Sequence, residues 1–481
     1  MKYKHALFLN PNTLSNSSRD IIRGLFPPTG LEYVATSARD FVDQLTLTDL
    51  RYDKSMRNTD NLLDFISKEI DIVCVGIGWD RQFKEICNLL NLMPDNIPLI
   101  IGGYKATEAV EELFETCPKI DIIVRGEGEE TIKEILKGES PENILGISYR
   151  KGEDVIHNQN RPLPDVNTLT PPDRALRGAK YRMMLNGVNV TNFTFDTILS
   201  ARGCPYNCKF CTFNLNPLGQ KRSYSARSPE SVIEEIEKIT SDIVLFSDDN
   251  FFTNMKTAEE ICDLIINRKI KKHFIAQSRI EVSEHPELLK KMVKAGFKML
   301  LIGIESPHDW ILTQFNKGFN SHAVREAFAV LNKYPIYYHG YFIYGNIGET
   351  EEEMLYIAKF AREIGVDSIT YSKLRIDKFS PLRKIAEETP GYYITRDGAV
   401  YSDTCTQALL EKVGKKIKFS FYTPSKVFSA FTKLLSTKIL NLKTILHFVI
   451  TSPLLLKNII TKQIQKGQLG DTLKRIFISN K

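Results

Sequence analysis

Paired cysteines are the first thing this chain lacks. Eight are present, at Cys74, Cys87, Cys117, Cys204, Cys208, Cys211, Cys262 and Cys405, and only three of them stand close together in sequence. That distribution offers no disulfide framework and fits a reducing cytoplasm. Cys74, Cys87, Cys117 and Cys262 lie in apolar or helical contexts and read as buried thiols, while Cys405 is isolated and takes no role. A strong charge of one sign is also missing: the net charge is +6 over 481 residues, too little to argue for nucleic acid. The opening Met1-Lys-Tyr-Lys-His-Ala-Leu-Phe-Leu-Asn10 has no secretory apolar core and reads as a first strand. No apolar run reaches the about 20 residues of a confident membrane span. The longest, Thr444 to Leu456, is broken by Pro453 and flanked by Lys443 and Lys457. What remains is a soluble globular composition, 42% hydrophobic and 25% charged, in a chain long enough for about two to four domains.

Residues 1–145 alternate short apolar runs with helical segments. The runs are Ala6 to Leu9, Asp71 to Gly78, Ile97 to Gly103 and Ile120 to Gly126. Continuous apolar strands separated by helices predict a doubly wound parallel sheet of α/β class. Ligands of such sheets sit beyond the strand C-termini. The candidate contacts are therefore Asn10, Pro11 and Asn12; Gly76, Ile77 and Gly78; Gly102, Gly103, Tyr104 and Lys105; and Gly126 and Glu127, running on to Glu129. Residues 146–194 read as a hairpin, Ile147 to His157, followed by a Pro-rich linker in which Asp165 and Asp173 are turn residues.

Residues 195–390 repeat strand and helix six times, which fits a partial (β/α)6 barrel better than a closed eight-fold one. Each strand ends in polar residues: Asp248 and Asp249 after the second, Arg279 after the third, Glu305 and Ser306 after the fourth, and Gly345 after the fifth. Any one of these serves equally well as a turn residue or helix cap, but their recurrence at successive strand ends does not. Lys373, Arg375 and Asp377 follow the sixth strand, either facing a substrate or forming surface ion pairs.

The first of these strands runs into Ser200-Ala-Arg-Gly-Cys-Pro-Tyr-Asn-Cys-Lys-Phe-Cys211, where Cys204, Cys208 and Cys211 have the spacing Cys-x-x-x-Cys-x-x-Cys. Three thiolates hold three irons of a 4Fe–4S cube and leave the fourth open, whereas a closed structural site takes four ligands. A zinc knuckle or redox cysteines are the alternatives. This spacing, with Phe210 before the last cysteine, resembles the radical SAM superfamily, in which S-adenosylmethionine (SAM) chelates the open iron. The resemblance implies that Cys204, Cys208 and Cys211 hold the cluster. It also implies that Phe210, Asp248, Asp249, Arg279, Glu305, Ser306 and Gly345 contact SAM, with Asp248 and Asp249 at its amino group and Arg279 at its carboxylate. One departure is Ile347, where relatives usually carry proline.

The first domain resembles the cobalamin-binding domain found ahead of many radical SAM domains, through Pro28-x-Gly-Leu-Glu-Tyr-Val-Ala35, Gly102-Gly-Tyr-Lys-Ala-Thr107 and Arg125-Gly-Glu-Gly-Glu-x-Thr131. A flavodoxin-like domain without this cofactor is the alternative. Many cobalamin domains carry a cobalt-ligating histidine in Asp-x-His-x-x-Gly. This chain has no histidine between His5 and His157, so a lower cobalt face without histidine is expected.

The resulting organisation is a Rossmann-like, flavodoxin-like cobalamin-binding domain (1–145), a hairpin and linker (146–194), a radical SAM partial barrel (195–390) and a basic helical region (391–481). From Lys412 onward Asp471 is the only acid. Either the helices there cap the barrel mouth, or they touch a membrane surface. The resemblance implies a cobalamin-dependent enzyme that methylates an unactivated carbon through a 5′-deoxyadenosyl radical and methylcobalamin. Cyclisation or other oxidoreduction without net methyl transfer is the second possibility, and a non-catalytic iron–sulfur or cobalamin sensor the third. The implied partners are a low-potential flavodoxin- or ferredoxin-type electron donor and a lipid, isoprenoid, peptide or other small-molecule substrate. Nucleic acid is not among them. The expected location is the cytoplasm, with peripheral contact on the inner membrane surface as an option.

Overall fold

The structure, a computed structural model, describes residues 2–13, 24–78, 82–211 and 215–465; Asp471 lies outside them. Five apolar runs form parallel strands: β1 (His5–Asn10), β2 (Gln44–Asp49), β3 (Ile72–Gly76), β4 (Leu99–Gly102) and β5 (Ile122–Val124). All of β1 is buried, with Leu7 and Leu9 packing on one side of the sheet and Ala6 and Phe8 on the other. A strand covered on both faces needs apolar residues at every position. The intervening helices are α1 (Thr29–Ala38), α2 (Thr59–Glu69), α3 (Phe83–Leu90), α4 (Tyr104–Glu108), α5 (Val110–Thr116) and α6 (Glu129–Lys137). α1 and α6 cover the Phe8 side; α2, α3 and α5 cover the Leu7 side.

The strand order is β2-β1-β3-β4-β5, the flavodoxin-like arrangement, extended by antiparallel β6 (Ile147–Lys151) and β7 (Asp154–His157). The hairpin grouped by sequence with the linker is therefore the edge of this sheet. Chain direction across the sheet reverses between β1 and β3, where such folds take their ligands. Asn10 to Asn12 and Gly76 to Gly78 flank that point.

The second sheet is six parallel strands in sequence order: β8 (Phe195–Ile198), β9 (Ile243–Phe246), β10 (His273–Ser278), β11 (Phe297–Glu305), β12 (Tyr337–Tyr344) and β13 (Ser368–Lys373). β8 and β13 are the two edges, so the barrel is open. Its helices are α7 (Pro229–Lys238), α8 (Met255–Asn267), α9 (Pro286–Ala295), α10 (Asp309–Gln314), α11 (Ser321–Leu331) and α12 (Glu351–Glu363). α7 starts where the sequence says: the Ser228 hydroxyl accepts from Ser231 N, and Pro229 occupies the first turn, where a missing N–H costs nothing.

Alternate strand residues take opposite sides. Val244, Phe246, Phe274, Leu300, Ile302, Tyr338 and Phe342 join the helices in one continuous core. Leu245, Ile275, Gln277, Met299, Leu301, His339, Tyr341 and Ile343 face the lumen and are half-buried. The isolated cysteines pack as expected: Cys74, Cys87, Cys117 and Cys262 are buried, and so is Cys405.

After the sixth strand come α13 (Leu382–Glu388) and a ribbon, Tyr392–Ile394 with Val400–Ser402. α14 (Gln407–Phe421) then descends beside α12, from Leu410 near Gly345 to Tyr422, whose hydroxyl bonds both backbone groups of Ile369. α15 (Pro424–Ser436) and α16 (Leu442–Gln465) cross beneath the barrel. Lys433 pairs with Asp367, just before β13, at 2.8 Å. Thr444 bonds Asn192, just before β8, at 2.7 Å. Both anchors lie at strand N-terminal ends. Of the two readings of this region, a cap over the barrel mouth is not the placement of α15 and α16: α14 carries the chain to the opposite end, and α15 and α16 form a floor.

Candidate active site

The cysteine loop is tied at its base. Ala201–Arg202 pairs antiparallel with Ser225–Ala226, which brings the two ends of the loop together. Gly203 has φ +85°, and a Cβ there would stand 2.5 Å from the Ser223 carbonyl oxygen, so no other residue fits before Cys204. Further round, Lys209 N donates to Phe315 O (2.9 Å), Asn316 Nδ2 to Asn207 O (3.0 Å) and Ser380 Oγ to Lys209 O (2.6 Å). Phe210 packs on Phe315 with ring centroids 4.7 Å apart. Ile347 is buried in the same apolar cluster, so packing replaces the usual proline at that turn. Cys208 is buried, and Cys204 and Cys211 are half-buried.

Among the described residues no three His, Cys, Asp or Glu side chains gather round a single metal ion, as a mononuclear zinc knuckle would require. A cubane with one open iron takes one thiolate for each of three irons, and three cysteines on one short loop are the donor set present. Burial raises the Cys204 pKa, and the Arg279 guanidinium lies 3.7 Å from Cys208 Sγ.

Several strand-end residues make contacts within the chain itself. Arg279 stacks on Tyr206 at 3.8 Å, pairs with Glu281 at 2.7 Å and donates to Lys317 O. These contacts and Cys208 engage the guanidinium in the structure. Asp248 is fully buried and accepts from Ser200 N (2.7 Å) and Ser200 Oγ; burial pushes its pKa up to about 7. It holds the turn out of β8. Asp249, half-buried, accepts from Gly203 N at 3.0 Å and stands beside the cysteines. Glu305 sits at φ +71° and pairs with Lys317 Nζ at 2.9 Å, both buried. Ser306 Oγ accepts from His308 N at 3.1 Å, and Gly345 lies against Leu410.

The first sheet turns its C-terminal edge toward this loop. Gly103, at φ +107°, comes so close to Ile77 that a Cβ would stand 2.6 Å from its carbonyl oxygen, which also accepts from Lys105 N at 3.1 Å. Asn10 Nδ2 donates to Asp49 (3.0 Å) and Asn12 Nδ2 to Asn10 Oδ1 (2.8 Å), with Pro11 buried between them. Gly76 packs on Leu31, Gly102 on Val124, and Gly78 is open. Tyr104 OH donates to Asp377 of the second domain at 3.0 Å, and Gly126 approaches Leu218. Arg202, two residues before Cys204, pairs with Glu127 at 2.6 Å and Glu129 at 2.7 Å; Arg222 pairs with Glu127 at 3.1 Å. The expected cobalamin-binding edge and the cysteine loop thus meet in one seam. Arg222 Nε and Nη2 and Glu129 Oε2 are buried there without a hydrogen-bond partner. A buried polar atom left unpaired is costly, so a polar ligand in the seam accounts for them. The amide-rimmed corrin of cobalamin has suitable chemistry, and the glycine-rich edge beside it gives room for close approach. The residues present fit both the cluster and the corrin.

The B12 binding domain model matches residues 21–136, and the Radical SAM superfamily model matches residues 198–361. The chain thus joins a B12 binding domain to a radical SAM domain. Its cofactors are a 4Fe–4S cluster, SAM and cobalamin. The enzyme is 27% identical over 446 residues to the uncharacterized methyltransferase PH0819 of Pyrococcus horikoshii, covering 89% of this chain and 94% of that protein. It is 26% identical to the anaerobic magnesium-protoporphyrin IX monomethyl ester cyclase of Cereibacter sphaeroides, over 78% of this chain and 62% of that one. It is 25% identical to the hopanoid C-3 methylase of Methylococcus capsulatus, over 60% and 55%. Among solved structures, the cobalamin-dependent SAM radical enzyme OxsB, with aqua-cobalamin and SAM bound, shares the fold at TM-score 0.66 and 15% identity, over 98% of this chain and 83% of that one.

Sequence reasoning missed several residues of this radical SAM enzyme. Lys317 partners Glu305, and Arg202 and Arg222 join the domains; only the position of Arg202 beside the cysteines hinted at a role. His339 lies in the lumen with its ring nitrogens 2.7 Å from Ser368 Oγ and 2.9 Å from Thr370 Oγ1, and burial pushes its pKa down to about 4. The alternation of His339, Tyr341 and Ile343 was the available signal. Arg375 pairs with Asp377 (3.3 Å) and Glu108 (3.5 Å) and Lys373 with Glu411 (3.7 Å), so this trio forms ion pairs, partly across the domain seam. His5 bonds Thr46 at the start of β1, and His157 bonds Ser148 on the outermost strand.

Proposed function

We propose that this enzyme methylates an unactivated carbon of an apolar, lipid- or isoprenoid-type substrate. The observation that carries the reading is the seam in which Arg202 joins Glu127 and Glu129 beside the cysteine loop, above a lumen walled by Leu245, Ile275, Met299, Leu301 and Ile343. When bound, the cofactors supply one-electron hydrogen abstraction and a transferable methyl group. The chain's own residues position and exclude water. Cys204, Cys208 and Cys211 hold the cluster. Asp249 takes the SAM amino group, a carboxylate for an ammonium. Phe210, Glu305, Ser306 and Gly345 line the remaining SAM contacts, while Asp248 and Arg279 support the loop from behind. Asn10, Pro11, Asn12, Gly76, Ile77, Gly78, Gly102, Gly103, Tyr104, Gly126 and Glu127 form the corrin edge, with no histidine below the cobalt. His339, held through both ring nitrogens by Ser368 and Thr370, adds a fixed ring to the lumen wall.

The partners in this reading are a flavodoxin- or ferredoxin-type electron donor and, through the C-terminal helices, the inner face of the cytoplasmic membrane. Ring closure without net methyl transfer is the second reading, favoured by the likeness to the cyclase. Anaerobic reconstitution with iron, sulfide and hydroxocobalamin, then removal of the excess, tests the cofactors by absorption. Co-purifying cobalamin with an iron–sulfur shoulder is expected; a cluster without cobalamin ends the methyl-transfer reading. With substrate, a product heavier by one CH2 marks methylation, and a product lacking it marks ring closure.

A further inference from the structure

The two floor helices reverse the usual arrangement of a surface helix, which turns its apolar stripe inward and its polar face to water. In α15, Lys433 points in, pairing with Asp367 and lying over the Tyr338 ring at 4.8 Å, and Lys426 is half-buried. Val427, Phe428 and Phe431 point out, 52%, 69% and 43% exposed. In α16 the inward side chains are Thr444, His447 (3.1 Å from Asn189 O) and Asn458 (3.0 Å from Asn186 O), with Leu455 packed on Val188 and Val190. Its outward side chains are Leu446, Phe448, Val449, Ile450, Leu454 and Leu456. Twelve of the nineteen large hydrophobic side chains exposed among the described residues fall between Phe419 and Ile460. They are concentrated on three consecutive helices and are not scattered over the chain, and such a concentration on a folded chain marks an interaction surface.

Charge identifies the partner. Residues 412–481 carry fourteen Lys and Arg against one acid, whereas the rest of the chain is net −7. Lys418, Lys443 and Lys457 are exposed on the same helices, and Lys438 between two of them. An apolar face fringed by lysines matches an anionic lipid surface, where the face enters the acyl boundary and the lysines meet headgroups. We propose that α15, α16 and the end of α14 rest on an anionic bilayer, lying in its interface. α16 does not cross it. By length and composition alone Leu442–Thr461 is long and apolar enough to cross a bilayer, but Lys443 and Lys457 bound an uncharged stretch only about 20 Å long, short of the about 30 Å hydrocarbon core. Its fastenings from Thr444 to Asn458 also keep one side against the barrel along most of its length. The bilayer therefore lies under the strand N-termini, and the cofactor seam faces away from it. This deepens the peripheral contact assigned above and rests on the lipid reading only for the nature of the substrate.

The test is sedimentation of the full-length protein with vesicles of phosphatidylglycerol and phosphatidylcholine, against phosphatidylcholine alone, at low and high salt. Binding about tenfold stronger to the anionic vesicles, weakened by salt and released by alkaline carbonate, is expected. The variant Phe428→Glu/Val449→Glu/Leu454→Glu, altered only on the outward face, should lose binding by about tenfold with unchanged melting. Lys443→Glu/Lys457→Glu should lose it on anionic vesicles alone. Equal binding by wild type and both variants, absence of binding, or resistance to carbonate overturns the proposal. So does a stable wild-type dimer in light scattering that the triple variant breaks, since the occupant is then a second copy. SAM cleavage is assayed separately in solution: intact cleavage without vesicle binding removes the surface alone, and absent cleavage removes the enzyme reading.

Discussion

Asp248→Asn separates two roles that adjacent carboxylates were both expected to fill. Asp248 accepts from Ser200 N and Oγ in full burial, and its pKa is pushed from 3.8 up to about 7. Between those values the folded state keeps a proton that the unfolded chain has released. Rising pH therefore favours unfolding: the group's contribution is complete below about pH 4 and lost once pH 7 is passed. One pKa unit corresponds to about 1.4 kcal/mol, so the step from pH 5.5 to 7 costs the wild type about 2 kcal/mol. For a domain of this size that is about 4–8 °C in melting temperature. Asparagine keeps a carbonyl for the Ser200 N–H and an amide N–H for its hydroxyl, and it does not titrate. Glu349, also raised to about 7 by burial, gives wild type and variant the same second slope, so the difference isolates Asp248. Thermal melting of both proteins from pH 5.5 to 7.5 should show the variant flatter by that amount. Parallel slopes would refute the argument. In the same pair, Asp248→Asn should cleave SAM at the wild-type rate, whereas Asp249→Asn should weaken SAM binding by about tenfold.

Three further outcomes are expected. Gly203→Ala forces a Cβ against the Ser223 carbonyl, so iron bound per chain after reconstitution should fall sharply while far-ultraviolet dichroism is kept. Arg202→Gln leaves the buried Glu129 carboxylate without its cation and should destabilise the seam by about 3 kcal/mol, whereas Glu129→Gln, which leaves Arg202 paired with Glu127, should cost less; the double variant in urea should be less destabilised than the sum, and strict additivity would disprove the pairing. Phe246→Ala removes a ring packed 4.3 Å from Phe251 and 5.7 Å from Phe274 and Phe297, and should cost about 3–5 kcal/mol of barrel stability in denaturant melts.

Local pattern made much of the molecule legible. The run Ile72 to Gly76 could only be a strand buried on both faces, and Ser228-Pro229 fixed a helix start, because each depends on neighbours along the chain. The cysteine spacing marked the loop for the same reason. What the strand-end residues do was less legible. Asp248 and Arg279 stand where cofactor contacts belong, yet each is engaged by a group far away in sequence, Ser200 and Cys208. Composition cannot distinguish a carboxylate aimed at a ligand from one bonded to a turn 48 residues earlier. The Arg202 pairs with Glu127 and Glu129 were hidden likewise, since ion pairing leaves no periodic trace when its members sit in different domains.

The C-terminal helices show the limit of periodicity most clearly. Spacing separates the two faces of α16 but does not say which one meets the protein, and the ordinary assumption sends the apolar face inward. Here the ribbon Met184–Leu185 with Val188–Asn189 and the loop that follows it before β8 offer Asn186, Asn189 and Asn192, so polar side chains of α16 find partners there and the apolar face is left outside. The hydrogen bonds to that segment are thus what turn Leu446, Val449 and Leu454 outward. An enzyme of this architecture has its chemistry at one end of the barrel and its apolar surface at the other, so docking on a bilayer need not obstruct the seam where the first domain meets the cysteine loop. That separation is why vesicle binding and SAM cleavage should fail independently when their own residues are changed.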